Sequence, residues 1–329
     1  MLRWIFLFLA CISLLSGHEI AVEKEEFILK DPPFTFCHAS TLIETPQGLV
    51  VSYFAGTKEG APDTSIYLSV EGKDGWQPPR MLIQSKGMPC WNPVLFTLPS
   101  NEVLLFYRQG KRPQNWSTFL TRSKDQGETW SAPEILPAGV LGPIKNKPLL
   151  LENGTLLCGS STESFLAWGC WIDETSDGGK TWEKRGPITA SDQPFGIIQP
   201  TLFHAAHHTL MLLARSHQIG YICRSISHDQ GKSWSSAEPI ELPNPNSGID
   251  AIRLYDGRIF LVYNHSQTAR TPINLAVSED GGETWEMVLT LESGPGSYSY
   301  PAIIQTSDGR VHITYTWNRT NIKHIVIKT

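Results

Sequence analysis

The sequence predicts an all-β protein, a six-bladed β-propeller, and two repeated features lead to this prediction. The first is an octet of the form S/T-x-D-x-G-x-T/S-W that occurs four times. The tryptophans that end the octets lie 52, 52 and 51 residues apart, at Trp130, Trp182, Trp234 and Trp285. A period of about 50 residues indicates an array of similar supersecondary units. The 27 glycines and 23 prolines, with only 18% charged residues, suit short strands joined by tight turns.

The second feature is a set of six apolar strands, each preceded by a short turn. They begin 49 to 54 residues apart, at Gly48, Asn101, Gly154, His208, Gly257 and Gly309. A degenerate fifth octet, SVEGKDGW, covers residues 69–76. Six strand units with a common spacing therefore predict six blades.

Each unit has the same predicted order of strands, and the fourth unit shows it best. Residues 197–204 form its inner strand A, residues 209–216 strand B and residues 221–227 strand C, and strand D lies within residues 234–242. The octet is then the turn between strands C and D. Its Asp and hydroxyl side chains can bond to the backbone, its Gly adopts the positive φ of a tight turn, and its Trp covers the turn. We therefore expect the octets to be structural.

The last unit supplies only three strands, at residues 300–305, 310–316 and 322–327. It has no octet and no strand D. Residues 25–30 precede the first inner strand and have no other partner in this scheme. We expect this segment to complete the last blade and so to pair the two ends of the chain.

The first 18 residues have the features of a secretory signal peptide, which leaves residues 19–329 as a single propeller domain. Arg3 is followed by an apolar run at residues 4–15, which is too short to span a bilayer. We expect a secreted or periplasmic protein without stable membrane insertion. Because the residues before Cys11 fit a lipoprotein cleavage site poorly, we do not expect a lipid anchor there.

Charge and cysteine content narrow the possible partners. A net charge of −5 is unlike the basic surface that is usual for nucleic-acid binding.

The five cysteines beyond residue 18 are an odd number, so they cannot all form internal disulfides. Cys158 and Cys170 could pair across neighbouring strands, or most of the five could be buried apolar residues. With no cluster of metal ligands in the sequence, we expect no metal and no cofactor, and we expect a monomer.

Polar residues stand at the start of the inner strand of every unit. Inner strands of a propeller converge on the central axis, so these residues should surround one end of the channel. Polar groups buried there without partners would cost stability, so their recurrence favours a wet pocket. The candidates are His38, Asn92, Lys145, Lys147, Gln199, Asp250 and Tyr300.

The octets resemble the Asp boxes of the sialidase (neuraminidase) superfamily, and the resemblance covers nearly all of residues 19–329. It implies three arginines on a substrate carboxylate, a Tyr nucleophile assisted by a Glu, and an Asp general acid/base. Arg215, at the end of strand B in the fourth unit, matches the second arginine, and Arg270 resembles the third. Asp63 falls where the acid/base Asp is expected, and Tyr300 is placed like the nucleophile.

Two positions depart from this pattern. The segment that carries the first arginine in the family reads Phe36-Cys37-His38-Ala39-Ser40 here, so His38 stands in its place. The Glu that supports the Tyr is expected in the strand after Gly309, where the sequence has Thr316. A His can be a general acid or base near neutral pH, while Lys145 and Lys147 can add positive charge for a substrate carboxylate.

These residues predict an enzyme that removes a terminal acidic sugar, a sialic or uronic acid, from a glycan. A lyase that acts on uronates and a propeller that binds glycan or protein without turnover remain alternatives. Each candidate also has a structural explanation. Asp63 could cap its loop, His38 could be a hydrogen-bonded core residue, Arg215 could join an ion pair, Tyr300 could pack in the channel and Asp250 could form a turn.

Overall fold

The computed structural model describes residues 14–15, 18–191 and 196–329. Within these ranges the regular structure is β-strand, apart from the two short 3-10 turns Pro113–Asn115 and Ala206–His208. No helix among the described residues has the length and apolar character needed to cross a bilayer. The predicted signal peptide lies largely outside the described residues, so its cleavage stays a prediction.

The strands form six antiparallel units that follow one another along the chain, and a parallel pairing between Trp168 and Gly196 joins units 3 and 4 into one sheet. Unit 1 contains Phe36–Thr45, Gly48–Gly56, Ser65–Gly72, Gly75–Trp76 and Arg80–Ile83. Unit 2 contains Cys90–Thr97, Val103–Gln109, Ser117–Ser123 and Glu134–Ile135. Unit 3 contains Leu149–Leu150, Leu156–Glu163, Trp168–Thr175 and Glu183–Ile188.

The remaining units repeat this order. Unit 4 contains Gly196–His204, Leu210–His217, Tyr221–Ser227 and Glu238–Pro243. Unit 5 contains Asp250–Arg253, Ile259–Tyr263, Ile273–Ser278 and Glu286–Glu292. Unit 6 contains Tyr298–Gln305, Val311–Trp317, Asn321–Lys328 and Ala21–Phe27. The prediction for the fourth unit is confirmed, with strands A to C placed to within one residue.

Apolar side chains fill the spaces between successive units. Phe203 and Leu213 of unit 4, for example, share a buried cluster with Leu261 of unit 5. The first strands of the units also contact one another, since Phe36–Thr45 contacts both Cys90–Thr97 and Tyr298–Gln305. This packing brings the inner strands together, as the sequence predicts.

Four of the inner strands carry a bulge at the same place. The strand register shifts there, and Ala39, Asn92, Gln199 and Tyr300 adopt φ values of 55°, 22°, 54° and 55°. Positive φ is uncommon outside glycine and is typical of functional sites whose surroundings compensate the strain. A bulge re-aims side chains and ends regular pairing, so the recurrent bulges direct polar side chains out of the sheets.

The N-terminal strand pairs with the last strand of the chain, as predicted. Ala21–Phe27 lies antiparallel to Asn321–Lys328, from the pair Lys323 and Phe27 to the pair Lys328 and Ala21. The strand begins and ends earlier than the predicted 25–30. The Ile28 amide still donates to the Ile322 carbonyl at 2.9 Å, and Ile28 and Leu29 are buried in an apolar cluster with residues of unit 1. Since most residues of the strand are exposed, it has no apolar alternation that would reveal its position.

The four octets form nearly identical turns. In the turn that ends at Trp234, the Ser227 hydroxyl accepts the Gly231 amide at 2.8 Å, and the Asp229 carboxylate accepts the Ser233 amide at 2.9 Å. The Trp234 indole N–H donates to the Gly231 carbonyl at 3.0 Å. The sequence therefore predicts this turn correctly. The group that accepts the indole N–H, the Gly231 carbonyl, lies within the octet itself. The degenerate octet differs, because Trp76 donates to Glu26 of the N-terminal strand at 2.9 Å.

All five described cysteines are buried free thiols. Cys158 lies opposite Asp173 in the strand pair, whereas Cys170 lies opposite Ser161. The alternative of a Cys158–Cys170 disulfide is therefore wrong, because the register keeps the two apart.

A buried pair of histidines lies where the chain ends meet. His312 Nδ1 is 3.0 Å from His324 Nε2, and their rings stack with centroids 5.2 Å apart. His324 Nδ1 is 3.1 Å from Glu26, which also accepts the Trp76 indole. Burial lowers the pKa of His312 to about 4 and lowers the pKa of His324. The charged groups around the pair are Lys24, Glu26, Glu71, Asp308 and Arg310.

We predict that deletion of residues 19–31 causes global loss of stability, because it removes the strand that pairs the chain ends. Thermal unfolding followed by circular dichroism should show the loss of the cooperative unfolding transition of the intact protein. Deletion of residues 1–18 is the control and should leave the melting temperature unchanged. An unchanged melting temperature in the longer deletion would refute closure by this strand.

We also predict that the protein loses stability as pH falls from about 6.5 towards 4. The folded pKa of His312 lies below its unfolded value, so its contribution is complete above the unfolded pKa and is lost as acid protonates the unfolded chain. After allowance for solvent screening, the loss is on the order of 2 kcal/mol. His312→Gln should flatten the dependence of melting temperature on pH, whereas the exposed His228→Gln should not. Parallel curves for wild type and His312→Gln would contradict this assignment.

Candidate active site

Tyr300 lies at the centre of a cluster of cationic side chains. Its hydroxyl oxygen accepts a hydrogen bond from Arg215 Nη1 at 2.8 Å and one from Gln199 Nε2 at 3.3 Å. The guanidinium carbons of Arg215 and Arg270 each lie 5.6 Å from the centre of its ring. Its positive φ follows from the bulge in Tyr298–Gln305. The inner strand of unit 6 thus holds Tyr300 against Gln199 of the inner strand of unit 4 and Arg215 of the second strand of unit 4.

Asn246 holds the two arginines that the resemblance identifies. Its side-chain oxygen accepts Arg215 Nε at 2.8 Å, and its backbone carbonyl accepts Arg270 Nη2 at 3.2 Å. Its side-chain nitrogen lies 3.0 Å from His217 Nδ1. The sequence suggests only a turn at this position, and a φ of 55° is consistent with one. The structure adds a positioning role, since one residue fixes both guanidinium groups.

Arg319 supplies a third guanidinium group that the sequence analysis missed. It lies in the turn after Val311–Trp317, pairs with Glu59 and has its guanidinium carbon 5.9 Å from the centre of the Phe36 ring. Its positive charge acts on both His38 and Arg270. It therefore stands beside the segment where the family's first arginine is absent. Arg319 lies in a turn of unit 6, far along the chain from residues 36–40, so a search for a local motif does not find it.

His38 is buried in contact with Tyr300. The two ring centroids are 4.2 Å apart, and His38 Nδ1 is 2.9 Å from Thr316 Oγ1. His38 Nε2 has no hydrogen-bond partner among the described residues. Burial, and then the positive charges of nearby Arg and Lys side chains, hold the pKa of His38 well below its ordinary value. The imidazole is therefore neutral at neutral pH, with one polar atom still to be satisfied.

The hydroxyl of Tyr300 lies beside an amide. Thr316, which stands where the resemblance leads us to expect a Glu, bonds to His38 and to the Ala39 amide. Gln199 donates to the Tyr300 oxygen instead, and its Oε1 accepts Arg215 Nη1 at 2.9 Å. An amide cannot take a proton from the phenol as a carboxylate can. The site thus has a neutral hydrogen-bonding group beside its tyrosine.

Lys145, Lys147 and Asp250 are engaged with other protein groups. Lys147 Nζ donates to both oxygens of Asp250, at 3.0 and 2.9 Å, and to the Ala251 carbonyl. Lys145 Nζ donates to Asn146 Oδ1 and to the carbonyls of Ile249 and Pro301. An ammonium group has three donors, so these contacts favour structural roles over direct substrate binding.

The charge of Lys145 still reaches the site. Its Nζ lies 6.0 Å from the centre of the Tyr300 ring. Burial lowers the pKa of Lys145 to about 7, against the raising effect of Asp250. Lys145 therefore adds positive charge near Tyr300 at pH values below about 7.

Asn92 also has a structural contact, since its Nδ2 donates to the Ile144 carbonyl at 3.3 Å. Its own carbonyl accepts Arg108 Nη1 at 2.8 Å, and Arg108 Nη2 donates to the Leu141 carbonyl at 2.8 Å. The buried Arg108, which the sequence analysis missed, thus joins the inner strand of unit 2 to the segment that leads to Lys145.

Asp63 lies on an exposed loop and caps it. Its carboxylate accepts the Thr57 amide and the Thr57 hydroxyl, each at 3.0 Å. The same loop carries Glu59, which pairs with Arg319, and Gly60, whose backbone packs against the ring of Trp91. The loop therefore borders the arginine cluster. The acid/base role of Asp63 stays a prediction.

The structure therefore brings together His38, Gln199, Arg215, Arg270 and Tyr300 from the sequence-predicted set. It adds Arg319, Glu59 and Asn246. Within the described residues, no group of three or more His, Cys, Asp or Glu side chains is arranged to hold a metal ion.

Comparison with known proteins gives a consistent family. A family model described as a BNR repeat-like domain matches residues 47–313. A sialidase from Bacteroides fragilis (strain YCH46) is 23% identical over 277 residues, which cover 74% of this chain and 48% of that protein. The chain thus spans about half the length of this curated relative.

Solved structures share the fold at low sequence identity. A protein of unknown function from Dyadobacter fermentans DSM 18053 superposes with a TM-score of 0.81 at 16% identity, covering 94% of this chain and 99% of that one. The K499G mutant of NanB sialidase from Streptococcus pneumoniae gives 0.76 at 12% identity, with coverages of 92% and 70%. Trypanosoma rangeli sialidase gives 0.70 at 14% identity, with coverages of 91% and 55%. The chain has the all-β fold of these sialidases, which are β-propellers.

We predict that Asn246→Gly weakens binding of an acidic monosaccharide about tenfold, because Arg215 loses a charge-assisted hydrogen bond that orients it. Glycine tolerates the positive φ of this position, so the fold should be retained. Titration calorimetry with N-acetylneuraminic acid and with glucuronic acid measures the effect. The control is Asn101→Gly, an exposed turn residue with φ 66°. Equal affinities in the two variants would contradict a positioning role for Asn246.

Proposed function

We propose that this chain, which belongs to the BNR repeat-like domain family and to the sialidase superfamily, is a secreted exo-glycosidase that removes a terminal acidic sugar from a glycan. In this proposal the six units are the blades of one propeller, and the sugar is a sialic or uronic acid. The observation that carries the proposal is the convergence of Arg215, Arg270 and Arg319 around Tyr300 and His38.

The arginine cluster is suited to a carboxylate. Guanidinium groups bind carboxylates through paired, charge-assisted hydrogen bonds. Arg270 and Arg319 are partly exposed, whereas Arg215 is buried, so the cluster extends from the interior to the surface. Burial lowers the pKa of Arg270, and repulsion from Arg215 and Arg319 adds to this effect. A bound anion would relieve this repulsion.

Tyr300 is the proposed nucleophile. After its hydroxyl proton has passed to water, its oxygen would attack the anomeric carbon and the bond to the leaving oxygen would break. Water would later release the sugar from the enzyme, with Asp63 taking back the proton that it gave to the leaving group. Arg215 and Gln199 donate to this oxygen, so they would stabilise the negative charge that develops when it departs. Asp63 is the proposed donor of the proton to the leaving group, as the resemblance implies.

His38 favours a second candidate function, β-elimination from a uronate. Its neutral imidazole and its unpartnered Nε2 suit a base that removes the proton from the carbon next to the carboxylate. The bond from the neighbouring carbon to the leaving oxygen would then break and leave a double bond. The arginines would stabilise the charge that develops on the carboxylate.

A panel of oligosaccharides that end in a sialic acid, end in a uronic acid, or contain a uronic acid with a sugar on its O4 tests both candidate functions. Release of the intact acidic sugar supports hydrolysis, and a product with new ultraviolet absorbance from a conjugated double bond supports elimination. Tyr300→Phe and Asp63→Asn should each lower hydrolysis by about 100-fold or more, whereas His38→Ala should abolish elimination. Tyr255→Phe, at an exposed tyrosine, is the control and should have wild-type activity.

Binding of the acidic sugar without any product would contradict catalysis and support a binding protein. Unchanged hydrolysis in both Tyr300→Phe and Asp63→Asn would overturn the assigned roles even if the protein is an enzyme.

A further inference from the structure

A groove lies between units 2 and 3, outside the arginine cluster. Its volume is about 630 Å³, which is in the range of small-molecule sites. Its walls are largely apolar, with Pro113, Trp116, Ile135, Leu136, Val140 and Phe165 among the lining residues. Ile135 and Phe165 are 64% and 87% exposed. Large apolar side chains exposed together are typical of binding surfaces.

One wall of the groove connects to the candidate site through aromatic rings. Trp116 contacts Trp91 with ring centroids 5.5 Å apart, and Trp91 contacts Phe54 at 5.8 Å. Phe54 in turn lies 5.6 Å from His38. A continuous row of rings therefore leads from the groove to the buried histidine.

The other wall connects through a hairpin. Glu163 lines the groove and lies opposite Trp168 in the strand pair. The Trp168 ring lies 4.7 Å from His217, which bonds to Asn246. Glu163 also lies close enough to Arg215 for the positive charge of Arg215 to act on its carboxyl group, so this wall is the one nearest to the arginine cluster.

The charge of the groove restricts its occupant. Among the described lining residues, Glu163 is the one acidic side chain and no basic side chain is present. A second acidic sugar would find no cationic partner there and would approach a carboxylate. The apolar walls, which are both aliphatic and aromatic, instead favour the burial of apolar groups.

We propose that this groove binds an apolar aglycone, so that the substrates are acidic glycosides whose leaving group carries an alkyl chain. This inference rests on the proposed function. The acidic sugar would occupy the arginine cluster, and the chain attached to it would extend along Trp116 and Phe165.

The test compares octyl and methyl glycosides of the same acidic sugar, prepared both for N-acetylneuraminic acid and for glucuronic acid. The wild-type protein should have a KM for the octyl glycoside at least about tenfold lower than for the methyl glycoside. Phe165→Ala and Ile135→Ala should each reduce this ratio about threefold or more and leave the methyl glycoside unaffected. The matched control is Leu166→Ala, which changes an exposed residue of the same hairpin turn that does not line the groove.

Failure of this inference differs from failure of the proposed function. If both glycosides are cleaved with equal KM, or if a neutral oligosaccharide aglycone is preferred to octyl, the apolar aglycone is refuted and the glycosidase stands. If neither glycoside is cleaved, octyl β-glucoside below its micelle concentration is titrated directly by calorimetry. Binding that Phe165→Ala weakens and Leu166→Ala preserves supports the groove; absence of binding overturns it.

Discussion

Pairing between the two ends of the chain is the constraint on which the site depends. Ala21–Phe27 adds the fourth strand to unit 6, and the preceding strands of that unit hold Tyr300, Thr316 and the turn with Arg319. Units 1 and 6 are also tied by the bond from Trp76 to Glu26 and by the bond from Thr316 to His38. Contacts between residues nearly 300 positions apart thus position the two aromatic residues of the site. Loss of the terminal strand would weaken the packing of unit 6 against unit 1, which holds Tyr300 beside His38.

The second constraint is electrostatic. Arg215, Arg270, Arg319 and Lys145 converge on one place, and burial of like charges is costly unless an anion or a dense set of hydrogen bonds compensates it. Glu59 pairs with Arg319, and Asn246 provides neutral acceptors for the other two arginines. The lowered pKa values of His38 and Lys145 reflect the remaining burial and repulsion. The proposed function, recognition of an anion, would explain this excess of positive charge better than stability does, because burial of apolar residues at this place would be less costly.

The sequence predicts the repeated parts of this structure and misses the parts that arise from long-range contacts. Octets and evenly spaced strands are local patterns, so the strands of unit 4 and the turn at Trp234 could be located closely. The role of Asn246 could not, because a residue that adopts positive φ in a turn has no separate signature for holding two arginines. The role of Arg319 could not be predicted for a similar reason, because its proximity to His38 follows from the packing of unit 6 against unit 1. The sequence shows that the Glu expected beside Tyr300 is absent, with Thr316 in its place. It does not show that Gln199 of unit 4 bonds to the phenol, because that contact arises from the packing of unit 4 against unit 6.

The chemistry that the site can perform depends on Gln199. A carboxylate at this position would neutralise part of the arginine cluster and accept the phenol proton, whereas the amide keeps the cluster cationic and gives the proton no acceptor. The amide is also fixed, because its oxygen accepts Arg215 while its nitrogen donates to Tyr300. Under the proposed function, the site would hold an anion and stabilise charge on oxygen, and the proton transfers would be left to groups outside the arginine cluster. These groups are the buried imidazole of His38 and the exposed loop of Asp63. Which of them transfers a proton decides between hydrolysis, elimination and simple binding.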